Sequence, residues 1–211
     1  MPYQYNTWFL DCDGVILDSN KAKENAFYET VIEFGEKNAS SFMSHVKKSR
    51  GISRFKQIRF FVESILKIED KNVTDTLVDV LVDKYATMSY EAMMDSPLTE
   101  GCIEFLHRTS LKSDLYIISG TYEKEIIDVF NKRDIMKYVR GCFGSPRTKV
   151  EIMSSIAYEG PAVFVGDSAF DSASAKAMAM DFIFINGYTD TLLKDLHVNP
   201  IASASSFEDI N

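Results

Sequence analysis

Four short apolar runs constrain the fold of this chain more than any other feature. They are TWFLD at 7–11, DLYIIS at 114–119, AVFVGD at 162–167 and DFIFIN at 181–186. Each is short and dense in apolar residues, and each ends on a polar one. Runs of this kind read as buried strands of a parallel sheet covered on both faces. Helical patterns over 122–132, 148–158 and 171–180 lie between the later runs. Strands alternating with helices predict a doubly wound α/β domain.

The region from about 19 to 94 breaks this alternation, being helical in pattern with no convincing strand. Segment 52–67 places Ile52, Phe55, Ile58, Phe61, Ile65 and Leu66 along one face, which reads as the core of a small helical unit. Segment 73–93 repeats the spacing with Val73, Leu77, Val80, Leu81, Met88 and Ala92. A helical insertion of roughly 75 residues is within the size of a small domain. Its exits fall near Asp18–Ser19 and Asp95–Ser96–Pro97, and Pro97 predicts an extended Ser96. The expected division is a core of 1–18 plus 96–211 and an insertion of 19–95.

Composition narrows the functions. The 211 residues carry a formal net charge of −8, which argues against general nucleic-acid binding and against an anionic membrane surface. No apolar run is long enough to span a bilayer, and no basic segment followed by an apolar stretch reads as a secretory signal. Three widely spaced cysteines, Cys12, Cys102 and Cys142, fit neither a disulfide framework nor a zinc site and suggest reduced thiols in a cytoplasmic protein.

In such a sheet, ligands bind at the carboxyl ends of the strands. The first end reads DCDGVILDS from Asp11. A carboxylate there can attack phosphorus, and a second can protonate the leaving oxygen and then accept a proton from water. Ser119, Gly120 and Thr121 offer hydroxyls and backbone N–H groups for phosphate oxygens. Lys149, in GSPRTK, can supply a fixed cation. GDSAFD brings Asp167 and Asp171, oxygen ligands suited to Mg²⁺.

Each residue also has a plainer reading. Asp-Gly is a common turn pair, Ser119 suits a loop or helix cap, Arg147 competes with Lys149, and Asp171 suits a helix N-cap. Asp18 and Ser19 read as caps of the first inserted helix. Cys12, between the two aspartates, is expected to point away from them.

The order DxDGVxxDS, strand-Ser, Lys, GDxxxD resembles the haloacid dehalogenase superfamily. The insertion is similar to the helical cap of its phosphoglycolate-phosphatase and β-phosphoglucomutase-like branch. The resemblance spans residues 7 to about 186 and implies a Rossmann-like core with an inserted α-helical cap domain. It also implies a Mg²⁺-dependent phosphatase acting on a small phosphorylated metabolite through an aspartyl phosphate. Asp11 would be nucleophile and metal ligand, and Asp13 acid/base with its carbonyl on the metal. Ser119, Gly120 and Thr121 would bind phosphate, Lys149 would pair with Asp11, and Asp167 and Asp171 would serve the metal. Segment 49–57 is similar to the cap loop that enters such sites, making Arg50 and Arg54 candidate substrate contacts, with solvated helix-end charges as the plainer reading. Rival expectations are a sugar-phosphate mutase on the same scaffold and a catalytically silent binding protein. Dehalogenation needs no acid such as Asp13, and an ATPase pump would need membrane spans. Substrate identity and oligomeric state are not readable.

Overall fold

In the computed structural model, residues 4–49 and 51–210 are described. Six strands form one sheet: β1 (Thr7–Leu10), β2 (Asp114–Tyr122), β3 (Gly141–Ser145), β4 (Ala162–Gly166), β5 (Asp181–Ile185) and β6 (Ala202–Ala204). Their order is β3-β2-β1-β4-β5-β6 and every pairing is parallel. The four apolar runs supply β1, β2, β4 and β5, the interior of the sheet. The sequence reading lacked β3 and β6. These are the edge strands, built of GCFGS and ASA, and their side chains are too small to make an apolar run.

The alternation of strand side chains gives two cores. Trp8, Leu10, Leu115, Ile117, Val163, Val165, Ile183 and Ile185 face one side. Helices α5 (Cys102–Ser110) and α6 (Glu123–Lys132) cover them through Phe105, Leu106, Ile126, Val129 and Phe130. The alternate residues Phe9, Ile118, Phe164, Phe182 and Phe184 face the other side. There α7 (Lys149–Ser155) and α8 (Ala169–Ala177) close over them with Ile152, Met153 and Ala175. This two-faced burial is why the strands read as continuous apolar runs.

Between β1 and α5 the described residues are helical: α1 (Asn20–Val31), α2 (Glu36–Lys48), α3 (Arg54–Phe60), a π-helical turn at Phe61–Ile65, and α4 (Lys71–Asp95). They share a third cluster of Phe27, Phe42, Phe61, Val62, Val78, Leu81 and Tyr85. The predicted faces hold in part. Ile58 and Phe61 are buried, whereas Phe55, Val73 and Val80 are exposed. The buried stripe of α4 runs through Thr74, Val78, Leu81, Tyr85, Ser89 and Met93. Two of its members are polar, so hydrophobicity alone set the wrong phase.

The chain enters and leaves this helical segment side by side. Asp18 N–H donates to the Pro97 carbonyl at 2.9 Å, and Leu17 bridges Leu98. Ser96 is extended, as the following proline requires. Arg133 clamps the exit by donating to the Met93 and Ser96 carbonyls at 2.8 and 2.7 Å. Among the described residues no helix is long and apolar enough to cross a membrane.

Candidate active site

β1 and β4 lie side by side although two strands and their helices separate them in sequence. This is where the strand order reverses, the place at which doubly wound sheets open a crevice for ligands. Asp11 directly follows β1, and its N–H still donates to Val165 of β4 at 2.9 Å. Asp167 follows β4. Asp11, Asp167 and Asp171 are all buried, and one carboxylate oxygen of each lies within 4.8 Å of the others.

Lys149, at the first turn of α7, inserts between two of them. Its Nζ lies 2.7 Å from Asp11 Oδ1 and 2.5 Å from Asp171 Oδ1, with 1 % of the side chain exposed. Arg147, the competing cation, is largely in solvent and pairs with Glu123. Burial disfavours a charged Lys149, but the carboxylates of Asp11 and Asp171 outweigh it and raise its pKa. Asp11 moves well above the ordinary carboxylate range. Burial is the main cause, followed by the charge of Asp171; Lys149 opposes both, and Asp167 and Asp13 add further repulsion.

Asp171 is fully engaged. Oδ1 accepts from Lys149, while Oδ2 accepts from the backbone N–H of Asp167 and Ser168 and from the Ser168 hydroxyl. Ser168 in turn accepts from Asp171 N–H, so the pair forms a capping box at the start of α8. The N-cap is therefore Ser168 and not Asp171, which stands three residues further on as its capping-box partner and also belongs to the buried acidic cluster.

Asp13 leaves the strand in the opposite direction from buried Cys12, whose side chain joins the sheet core. Asp13 Oδ1 accepts from Ser19 at 2.5 Å. Oδ2 accepts from Lys23 at 2.7 Å and from Thr121 at 3.2 Å. Burial would raise its pKa, but the charge of Lys23 and the three hydrogen bonds hold it below the usual value. Ser19 was expected to cap α1. It sits at that position without a capping bond, because its hydroxyl is turned to Asp13.

β2 runs on through Tyr122, so Ser119, Gly120 and Thr121 belong to the strand rather than to a loop after it, with the register shifting between Ile118 and Tyr122. Ser119 is buried, and its hydroxyl accepts from Thr121 N–H at 3.0 Å. A Cβ on Gly120 would lie 2.7 Å from the Gly51 carbonyl. Glycine is required there because the loop before α3 lies against the strand end. Gly14 has a φ of +76°, and a Cβ on it would lie 2.3 Å from both Asn20 and Asp167.

Arg54 is not a solvated helix-end charge. It is 8 % exposed, forms a two-pronged ion pair with Glu125 of α6, and lies over the Tyr85 ring. It lines the same cavity as Asp11, Asp13 and Lys149, the position expected of a substrate contact, but its guanidinium is paired with Glu125. Arg50 lies outside the described residues.

The sequence reading missed Lys23, Asn20 and Glu125. Asn20 Nδ2 donates to Asp167 Oδ2 at 2.7 Å and to the Tyr188 carbonyl at 3.0 Å. Lys23 was legible in principle. It shares the i, i+3, i+4, i+7 stripe of α1 with Ala26, Phe27 and Thr30, and a lysine in a buried stripe requires a partner.

The donor set fits a hard divalent cation. Asp11, Asp167 and Asp171 bring three carboxylates against one cation from Lys149, all buried, and Asp171 and Asp167 add to the rise that burial gives the Asp11 pKa. All the donors are oxygens, as Mg²⁺ prefers.

No family model and no curated protein matches the chain. Solved structures do. A haloacid dehalogenase-like hydrolase from Streptococcus pneumoniae is 21% identical, with 98% of this chain and 96% of that one covered and a TM-score of 0.69. A predicted phosphoglycolate phosphatase from Haemophilus somnus is 16% identical, with 100% and 98% covered and a TM-score of 0.77. A protein from Bacillus subtilis assigned to the HAD hydrolases, bound to magnesium and showing interdomain movement, is 15% identical, with 98% and 97% covered and a TM-score of 0.69. Architecture and similarity agree over nearly the whole length: this chain has the fold of the haloacid dehalogenase-like hydrolases.

Proposed function

We propose that this protein is a phosphatase that hydrolyses a small phosphate monoester through an aspartyl phosphate on Asp11. The observation that carries the reading is the placement of Asp11. It is a buried carboxylate at the switch point of the sheet, held by Lys149. Asp13 is two residues on, with both its oxygens held by hydrogen bonds. The similar structures described as phosphatases support it.

In this mechanism an Asp11 oxygen bonds to phosphorus as the bond from phosphorus to the ester oxygen breaks. Asp13, ionised in the resting site by Lys23 and its hydrogen bonds, takes up a proton before the ester is cleaved and gives it to the departing oxygen. Asp13 then takes a proton from water, whose oxygen attacks the same phosphorus. The Asp11–phosphorus bond breaks, and inorganic phosphate leaves. Lys149 offsets charge on Asp11 and on the transferring group throughout. Ser119, Gly120 and Thr121 lie where they can hold phosphoryl oxygens. Mg²⁺, held by the Asp11 and Asp167 carboxylates and the Asp13 carbonyl, would supply further positive charge for the phosphoryl oxygens. Asp171 serves this centre by fixing Lys149 and the Asp167 backbone.

Residues 19–95 act as a cap over the core of 1–18 and 96–211, excluding water and selecting the substrate. The cavity beneath it, about 90 Å³, is lined from both sides, by Phe27, Val46 and Tyr85 as well as by the aspartates. Such a space suits a phosphoryl group with a small organic group and does not suit a nucleic acid. Three buried free thiols suit the cytoplasm.

Phosphate release from a panel of phosphorylated metabolites, with Mg²⁺ and with EDTA, tests the reading. Turnover that requires Mg²⁺ and vanishes in Asp11→Asn is expected. Residual activity above about a tenth of wild type in that variant, far more than removal of an essential nucleophile allows, overturns it.

A further inference from the structure

One buried hydroxyl of the helical segment has no partner. Ser89, on α4, is 1% exposed and lines the cavity that Asp11 and Asp13 also line. Among the described residues its Oγ is the one buried side-chain polar atom without a hydrogen bond. A serine or threonine inside a helix commonly donates to the carbonyl four residues back. Thr87 and Ser96 do so, to Asp83 at 3.3 Å and to Ala92 at 2.6 Å. Ser89 forgoes that bond. Burial raises the pKa of the Tyr85 phenol, one turn earlier, and Lys23 and Ser89 oppose the rise. Ser89 thus stands near this phenol, yet completes no hydrogen bond to it. A buried hydroxyl left unpaired is unfavourable, and this one keeps both a donor and acceptor positions for whatever fills the cavity.

The charges around the cavity are already matched. Among the described residues Lys23, Arg54 and Lys149 line it. Lys23 pairs with Asp13, Arg54 with Glu125, and Lys149 with Asp11 and Asp171. On the helical side Glu24 adds a further carboxylate, with half-exposed Lys47 3.9 Å away. A second anionic group on the substrate would lose its water there and meet no unengaged cation among these residues. A cationic group would lack an aromatic cage, because the Tyr85 ring is stacked on Phe27 at 3.9 Å and lies under the Arg54 guanidinium.

We infer that the substrate is the phosphate ester of a compact, uncharged, hydroxylated alcohol, and that Ser89 selects it by hydrogen-bonding a hydroxyl remote from the ester. The inference rests on the phosphatase reading and specifies the alcohol that leaves. Phe27 and Val46 give its carbon chain apolar contact, and a cavity of about 90 Å³ keeps it small.

The test uses esters that differ away from the phosphate: glycerol phosphate, phosphoglycerate, propyl phosphate and aminopropyl phosphate, with p-nitrophenyl phosphate as a generic ester. Phosphate release is measured with Mg²⁺ for the full chain and for Ser89→Ala. Wild type is expected to favour glycerol phosphate over the other three alkyl esters by about fivefold or more in kcat/KM, the scale of one net hydrogen bond. Ser89→Ala should lower kcat/KM for glycerol phosphate by about 3- to 10-fold and for propyl phosphate by less than about twofold. Its thermal midpoint should not fall, because the methyl group replaces a hydroxyl that had no partner in the free protein. A preference for phosphoglycerate or aminopropyl phosphate, equal changes on glycerol and propyl phosphate, no change on either, or a lowered midpoint overturns the inference and leaves the phosphatase reading intact. So does hydrolysis of p-nitrophenyl phosphate alone. Failure of wild type to release phosphate from any of these esters overturns that reading, and this inference with it.

Discussion

Lys149 Nζ lies between Asp11 and Asp171, 2.7 Å from one carboxylate and 2.5 Å from the other, with all three side chains almost wholly buried. One cation on α7 thereby joins the end of β1 to the start of α8. Removing one partner of a buried ion pair costs about 3–5 kcal/mol, because the remaining charges stay buried. Lys149→Met should lower stability on that order in EDTA, with Mg²⁺ restoring part of the loss, and should abolish most turnover. Urea unfolding with and without Mg²⁺ checks this; a change below about 1 kcal/mol in EDTA, the range of exposed pairs, would show that the cluster does not need its lysine.

Asp11 bears on pH. Its folded-state pKa is raised, chiefly by burial and next by Asp171, above an unfolded value of about 4. Stability from this group is therefore complete below about pH 4 and is lost as pH rises toward and through the raised value. Asp11→Asn removes that loss. In EDTA the variant should be more stable than wild type at neutral pH, with the advantage shrinking toward pH 4. Urea midpoints measured across pH test this, and a constant difference would refute it.

Arg54 and Glu125 tie α3, in the helical segment between β1 and α5, to α6 against the sheet. Both side chains are mostly buried, so the pair should couple more strongly than an exposed one. A double-mutant cycle of Arg54→Ala and Glu125→Ala is expected to give about 1–2 kcal/mol in denaturant unfolding. A value near zero would mean that water screens the pair. Either single variant should also loosen α3 from α6 and speed proteolysis within the helical segment.

Gly120 has no room for a side chain while the Gly51 carbonyl lies against it. Gly120→Ala should displace that loop from the strand end with little harm to the sheet. Hydrogen exchange faster around 49–54 than in wild type, together with a fall in kcat/KM, is expected. Unchanged exchange would show that the loop accommodates a methyl group where it stands.

Much of the core was legible because it is written in local pattern. Runs such as AVFVG and DFIFI must be buried on both faces, and runs of that kind make a parallel sheet. DCDG and GDSAFD then fell at strand ends, which is why Asp11, Asp13 and Asp167 could be named in advance. GCFGS gave no such signal, since an edge strand is held by backbone pairing that its side chains do not announce.

The sequence by itself determined the α/β class, the helical character of the stretch between β1 and α5, and the residue types that stand at the strand ends. Only the tertiary structure decided which groups answer them. Lys23 lies 98 residues from Thr121, Asn20 lies 147 from Asp167, and Arg54 lies 71 from Glu125. No periodicity carries contacts of that range. Each arises because packing the helices over the sheet buries charged and polar groups, and a buried polar group must find its partner wherever the fold has brought one.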